Sequence, residues 1–158
     1  MIDEELIYAT LFERVADVRW QRPGEEEAGR GFVTMSRRVK LFSDVPSTIQ
    51  PACYQAEHTT IDGQVTGMPY KTTMIANWIV YQSVGKDKNA IPAQENNYII
   101  RGIREALQPR PTDVGFLDRR NTLGSLVHHC FISGTIFRDP GDLDDQGMIV
   151  IPIKLLVP

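Results

Sequence analysis

The C-terminal segment from Met148 to Pro158 constrains the fold more than any other part of the sequence. In it, every odd position carries a large aliphatic side chain: Ile149, Ile151, Ile153, Leu155 and Val157. The even positions carry Met148, Val150, Pro152, Lys154 and Leu156. A period of two residues is typical of a β-strand that buries one face. We therefore predict a long strand whose odd face lies in the core.

Pro152 limits where this strand can lie. Because proline has no N–H to donate to a sheet ladder, we expect the strand at a sheet edge or with a bulge. Its even face is also apolar apart from Lys154. A long edge strand with an apolar second face aggregates unless something covers it. The segment therefore predicts a protein that works by assembly with a partner subunit.

The remaining periodicities predict an α+β fold with the element order α-β-β-β-α-β-β. Asp3 is a good N-cap, and Ile7, Leu11 and Val15 recur every four residues, so a helix is expected over about 3–17. A second apolar stripe predicts a helix over about 94–107. Strands are expected from Phe32 and over 52–61, 70–82, 124–137 and 147–157. We expect a mostly antiparallel or mixed sheet with both helices packed on one face.

The alternation at 52–61 predicts a strand with one buried side, formed by Ala52, Tyr54 and Ala56. The length of 158 residues suits one domain over 1–158. The 17 Lys and Arg against 20 Asp and Glu supply no broad basic surface for nucleic acid. Two cysteines and an acidic N-terminus favour a cytoplasmic origin. The longest apolar run is shorter than the roughly 20 residues of a membrane span.

The sequence His128-His129-Cys130, with Cys53 and His58 elsewhere, holds the residue types of a zinc site or a thiol nucleophile. Adjacent residues of a strand face apart, so at most two of the three side chains reach one ion. No G-x-S-x-G, dinucleotide fingerprint or HExxH motif occurs. We predict no catalytic residue, metal or cofactor, and a small metal- or thiol-dependent enzyme is the less favoured alternative.

Two charged clusters and one tryptophan are the candidate binding residues. The aspartates Asp139, Asp142, Asp144 and Asp145 indicate either a solvated hairpin tip or a surface that faces a DNA channel and repels the polyanion. The basic residues Arg37, Arg38 and Lys40 indicate an exposed strand end or a salt-bridging subunit interface. Trp20 is interpreted as a partner anchor or as packing on the helix over 3–17.

Two stretches resemble a known family. Residues 36–55, SRRVKLFSDVPSTIQPACYQ, and residues 122–135, TLGSLVHHCFISGT, followed by the acidic hairpin and the apolar final strand, resemble the tail terminator proteins of long-tailed bacteriophages and prophages. That family includes minor tail protein U of phage lambda. The predicted element order also resembles the family, so the resemblance covers nearly the whole chain.

The resemblance implies a subunit of a homohexameric ring in the phage virion. Such a ring caps the head-proximal end of the tail tube, ends tube polymerisation and provides the surface that docks to the head–neck connector protein. It implies no enzyme activity, a tail tube protein as partner, and DNA only as a passenger through the channel. The acidic loop 139–145 and the basic strand end become candidate ring or channel surfaces. The alternatives are another neck component and an adaptor that binds one protein through the final strand by β-addition.

Overall fold

The computed structural model describes residues 2–63, 67, 71–85, 89–113, 115–139 and 146–157. Within these ranges the chain forms two α-helices and one mixed sheet of six strands. The helices are α1 (Glu4–Asp17) and α2 (Pro92–Ala106). The strands are β1 (Thr34–Ser36), β2 (Ala52–Gly63), β3 (Lys71–Ser83), β4 (His129–Ile132), β5 (Phe137–Asp139) and β6 (Gln146–Val157). The predicted α+β fold is confirmed.

The strand order across the sheet is β1-β2-β3-β6-β4, with β5 also on β6. The pair β1 and β2 is parallel, and the other pairs are antiparallel. We call the end of the sheet where β6 begins its upper end and the end where β6 finishes its lower end. On the outer side of β6, β5 lies towards the upper end and β4 towards the lower end.

The expectation that the final strand lies at an edge or bulges was wrong. All 12 residues of β6 pair with β3 on one side, and β4 and β5 flank its other side. Pro152 faces the interruption between these two short strands, where the Ser133 N–H donates to its carbonyl at 3.1 Å. The missing proline N–H therefore meets a gap in the neighbour, which removes the need for an edge position.

The single strand predicted over 124–137 was also wrong, since this region contains β4, β5 and a turn before them. Leu123, Gly124 and Ser125 have φ values of 48°, 71° and 73°. Three consecutive residues in the left-handed region are incompatible with a strand. The chain becomes extended only at His129.

Both helices form where the sequence predicts them. The Asp3 carboxylate accepts a hydrogen bond from the Leu6 N–H at 3.0 Å and caps α1, while Pro92 occupies the first turn of α2. Both helices lie on the same face of the sheet, and they bury their apolar stripes against the odd face of β6 and the even face of β3. The buried residues that they share with these strands include Leu11, Val15, Ile99, Ile103, Met74, Trp78, Ile149, Ile151, Ile153 and Leu155.

The beginning of β2 is buried on both faces, which corrects the prediction of one buried side. Cys53 points into the main core, while Ala52 and Tyr54 pack with Val45 and Tyr81 in a second cluster on the opposite face. That cluster forms because the short 3₁₀ turns Phe42–Asp44 and Ser47–Ile49 fold over this corner of the sheet. The rest of this face carries the even residues of β6, which are only partly buried.

No helix in the described part of the chain is long and apolar enough to cross a membrane.

We predict that Ile151→Ala lowers the free energy of unfolding by about 2–5 kcal/mol, because it opens a cavity beside a fully buried side chain. The matched variant Val150→Ala, on the next residue of β6 and the opposite face, is expected to cost at most about 1 kcal/mol. Urea unfolding followed by circular dichroism measures both. Equal losses from the two variants would contradict the one-sided core.

Candidate functional site

The charge of Arg37 is compensated within its own subunit. Its guanidinium donates to both carboxylate oxygens of Glu5, at 2.6 and 3.0 Å, and through Nε to Glu57 Oε1 at 2.8 Å. The hydrogen bonds from Arg37 to Glu5 and Glu57 raise the pKa of the guanidinium above its usual range. Arg37 therefore ties α1 to β2, so its charge contributes little to the attraction of a partner.

Arg38 and Lys40, the other two residues of the predicted basic cluster, are exposed. Neither forms an ion pair with a residue that the structure describes. Val33, which directly precedes β1, and Leu41, which follows Lys40, expose 63% and 72% of their surface. We call the outer side of β1 together with Val33, Arg38, Lys40 and Leu41 the β1 edge. It combines uncompensated positive charge with exposed apolar side chains, which is a composition suited to contact with a protein.

Below β1, the outer side of β2 is acidic. The strand β1 pairs only with Ala52, Cys53 and Tyr54, so within the described ranges no strand neighbours β2 from Glu57 onwards. Four carboxylates lie on this part of β2 and in the first turn of α1: Glu4, Glu5, Glu57 and Asp62. Asp62 is exposed, and its Oδ1 accepts a hydrogen bond from Thr72 Oγ1 on β3 at 2.8 Å. Thr60 Oγ1 donates to Glu4 Oε2 at 3.2 Å and links the helix to the strand. We call these four residues the acidic edge.

A groove lies beside β4 at the opposite edge of the sheet and has a volume of about 250 Å³. Its lining residues are Arg104, Leu107, Gln108, Pro109, Arg119, His129, Cys130, Phe131 and Ile132. None of them carries a carboxylate. Arg104 and Arg119 are exposed, and neither forms an ion pair with any described residue. We call this feature the basic groove, and its charge suits an anionic group.

His129 lines the basic groove and has two close neighbours. His129 stacks on Phe131 with a ring centroid distance of 4.7 Å, and its Nδ1 accepts a hydrogen bond from the Asn121 N–H at 3.2 Å. Burial is the largest cause that lowers the pKa of His129, and the charge of Arg120 adds to it. A neutral His129 is therefore favoured at pH 7, and the positive charge of the groove comes from its arginines.

Cys130 and Cys53 are buried, as small core residues are. Burial raises the pKa of the Cys130 thiol to about 12 and raises that of Cys53 even further. A thiol nucleophile needs a lowered pKa and access to solvent. Among the described residues, no group of three or more His, Cys, Asp or Glu side chains is placed to hold a metal ion.

Of the predicted acidic loop, the structure describes Asp139, an exposed residue that ends β5 at the upper end of the sheet. Its carbonyl accepts a hydrogen bond from Asn96 Nδ2 at 3.4 Å. Asp142, Asp144 and Asp145 lie outside the described residues, so their interpretation as a channel surface stays a prediction.

Trp20 lies in the core and is only 3% exposed. Its indole packs on Phe32 at a ring centroid distance of 5.2 Å and donates through Nε1 to Glu95 Oε1 at 3.1 Å. A partner cannot reach this side chain without opening the subunit. The interpretation of Trp20 as a partner anchor is therefore wrong. Its contacts are with Phe32 and with Glu95 and Gly102 of α2, inside the core cluster that also contains residues of α1.

Glu95 is a residue that the sequence does not single out. It is buried, and it accepts two hydrogen bonds from the Arg22 guanidinium, at 2.7 and 2.9 Å, besides the one from Trp20. Trp20 also forms a backbone bridge with Arg30. The connection 19–30 is therefore fixed to the beginning of α2. Nothing in the local pattern signals this contact, because Arg22 and Glu95 are 73 positions apart in sequence.

The comparisons with known proteins add no relative to these observations. No protein-family model and no curated protein matches this sequence.

We predict that Glu95→Gln destabilises the fold by about 1–3 kcal/mol, because it removes a buried charge that accepts hydrogen bonds from the buried Trp20 indole and the partly exposed Arg22 guanidinium. Thermal unfolding measures the loss. The control is Glu105→Gln on the exposed side of the same helix, which is expected to change stability by less than about 0.5 kcal/mol. A loss no larger than that of the control would show that the 19–30 connection does not depend on Glu95.

We also predict that the two thiols resist alkylation in the folded protein. At pH 8 both are protonated and buried, so iodoacetamide is expected to modify them only after denaturation. Mass spectrometry of native and urea-denatured samples measures the extent of labelling. Fast native labelling of Cys130 would instead revive the thiol-enzyme alternative.

Proposed function

We propose that this chain is a structural protein of a bacteriophage virion and forms a ring on the head-proximal end of the tail tube. In this role it ends tube polymerisation and offers its other surface to the head–neck connector. The partners are further copies of the chain, the tail tube protein and the connector protein, and DNA passes through the ring.

The single observation that carries the proposal is the resemblance of residues 36–55 and 122–135 to tail terminator proteins. The positions of these stretches in the fold support it. Residues 36–55 run from the end of β1 through the turns over the second cluster into β2, at one edge of the sheet. Residues 122–135 contain β4, at the opposite edge. A ring subunit contacts a neighbour on each of two sides, so two edges with distinctive sequences are consistent with this role.

The uncovered face of the sheet adds further support. Both helices pack on one face, whereas the even residues of β6 on the other face remain partly exposed and are mostly apolar. Phe137 on β5 adds an aromatic side chain that is 52% exposed. A partly exposed, mostly apolar sheet face of this kind is typical of proteins that assemble. A closed cyclic ring of identical subunits has unlike upper and lower surfaces, as termination of a polymer requires.

A tube-extension assay tests the proposal. Purified tail tube protein from the same phage is polymerised with and without this chain, and tube lengths and ends are measured by electron microscopy. We expect a ring at one end of each tube and an arrest of growth at substoichiometric amounts of the chain. Tubes that grow to the same length without bound rings would refute the proposal. Binding to the isolated connector but not to tube ends would favour another neck component.

A further inference from the structure

Residues at the two opposite edges of the sheet belong to the same rows, where a row is the line of paired residues that crosses the strands. The register of the strands connects the part of β2 that bears the acidic edge to β4, which bears the basic groove. The two rows that bound this region run through Glu57, Ala76, Ile153 and Ile132, and through Ile61, Thr73, Leu156 and His129. A copy placed beside the first in the same orientation therefore brings its basic groove level with the acidic edge.

The same correspondence holds at the upper end of the sheet. The three-residue strands β1 and β5 occupy the same three rows at opposite edges. The row that begins at Thr34 passes through Ala52, Tyr81 and Met148 and ends at Asp139. In the described part of the chain neither strand has a second neighbour. Within the described ranges β1 thus pairs only with β2 and β5 only with β6, so each is an edge strand at one side of the sheet.

The strand directions permit a backbone ladder between two copies. β5 runs antiparallel to β6, β6 and β2 run in the same direction, and β1 is parallel to β2. In two copies of equal orientation, β1 of one subunit therefore meets β5 of the next in the antiparallel sense. Antiparallel pairs are the more stable kind of ladder.

Below this ladder, the charged side chains face each other across a gap. β1 lies one strand further out than β2, so the neighbouring β4 would stand about two strand spacings, roughly 10 Å, from the acidic edge. An arginine side chain and a glutamate side chain are together long enough to span this distance. Arg104 and Arg119 have no ionic partner among the described residues of their own subunit, and the acidic edge holds four carboxylates against the single guanidinium of Arg37.

We propose that neighbouring copies of this chain join edge to edge, with β1 of one subunit paired to β5 of the next and the acidic edge facing the basic groove. This inference rests on the proposed ring function and specifies which surfaces of neighbouring subunits form the contact. It is heterologous, because each copy uses a different edge towards each neighbour, and such contacts close into a ring when the rotation between subunits permits. The edge strands β1 and β5 then gain a neighbour, and Arg104 and Arg119 face carboxylates, in the assembly.

Charge reversal on one edge at a time tests the contact. The groove variant carries Arg104→Glu and Arg119→Glu, and the edge variant carries Glu4→Lys and Asp62→Lys. The controls are exposed positions on the helices that carry Arg104 and Glu4, namely Arg101→Glu on α2 and Glu13→Lys on α1. Light scattering over a concentration series and electron microscopy measure assembly. Circular dichroism confirms that each variant is folded, and a variant that fails to fold is replaced by its neutral form, Gln or Asn.

We expect each reversed variant to weaken self-association at least tenfold, while the controls assemble like the wild type. An equimolar mixture of the groove and edge variants is expected to restore assembly, because the acidified groove of one faces the basic edge of the other and the remaining contacts are native. The chain with all four substitutions should also assemble. High salt should weaken the wild-type contact, since part of it is electrostatic.

Three outcomes would overturn the proposed contact. These are a wild-type chain that stays monomeric at millimolar concentration, a groove variant that assembles like the wild type, and a mixture that does not restore assembly. A groove variant that still forms dimers would indicate an isologous contact through the β1 edge alone. The experiments can refute the proposed contact and the proposed ring function independently of each other. Rings that assemble as described but do not arrest tubes refute the function, whereas arrest that survives both reversals refutes the contact.

Discussion

The pairing of β6 with β3 is the interaction on which the rest of the structure depends. All 12 residues of β6 take part, and each odd residue enters the core where α1 and α2 cover the sheet. Because side chains alternate along a strand, a register slip of one residue would turn every buried aliphatic side chain of β6 to the opposite face. The alternation of apolar side chains along β6 therefore determines its register with β3. This register in turn determines which residues of the two sheet edges lie in the same row.

The same strand explains why the sheet has two different sides. Its odd face and the even face of β3 bury their apolar side chains under the helices, whereas the even face of β6 has only the short turns near Tyr81 beside it. Pro152 divides the outer neighbour of β6 into β4 and β5. This division places the short strand β5 at the upper end of this edge and a groove with two arginines at the lower end. The candidate assembly surfaces are thus consequences of how the last strand is paired.

The charged residues divide into those that stabilise one subunit and those available to another. Arg37 and Arg22 belong to the first group, since each holds a distant segment through a bidentate contact with a carboxylate. Arg38, Arg104 and Arg119 belong to the second. The sequence presents Arg37 and Arg38 as one cluster. Their roles differ because Glu5 and Glu57, on α1 and β2, approach only one of them.

The sequence by itself determined both helices, four of the strands and the buried face of β6, because periodicity and capping are local properties that the chain carries with it. The interior position of β6, the burial of Trp20 and the basic groove were decided only by the tertiary structure. Each depends on groups far apart in the chain, such as Ser133 with Pro152, or Trp20 with Glu95. An isolated proline in a strand predicts a missing donor, but only the fold shows that the neighbouring strand is interrupted at the same place.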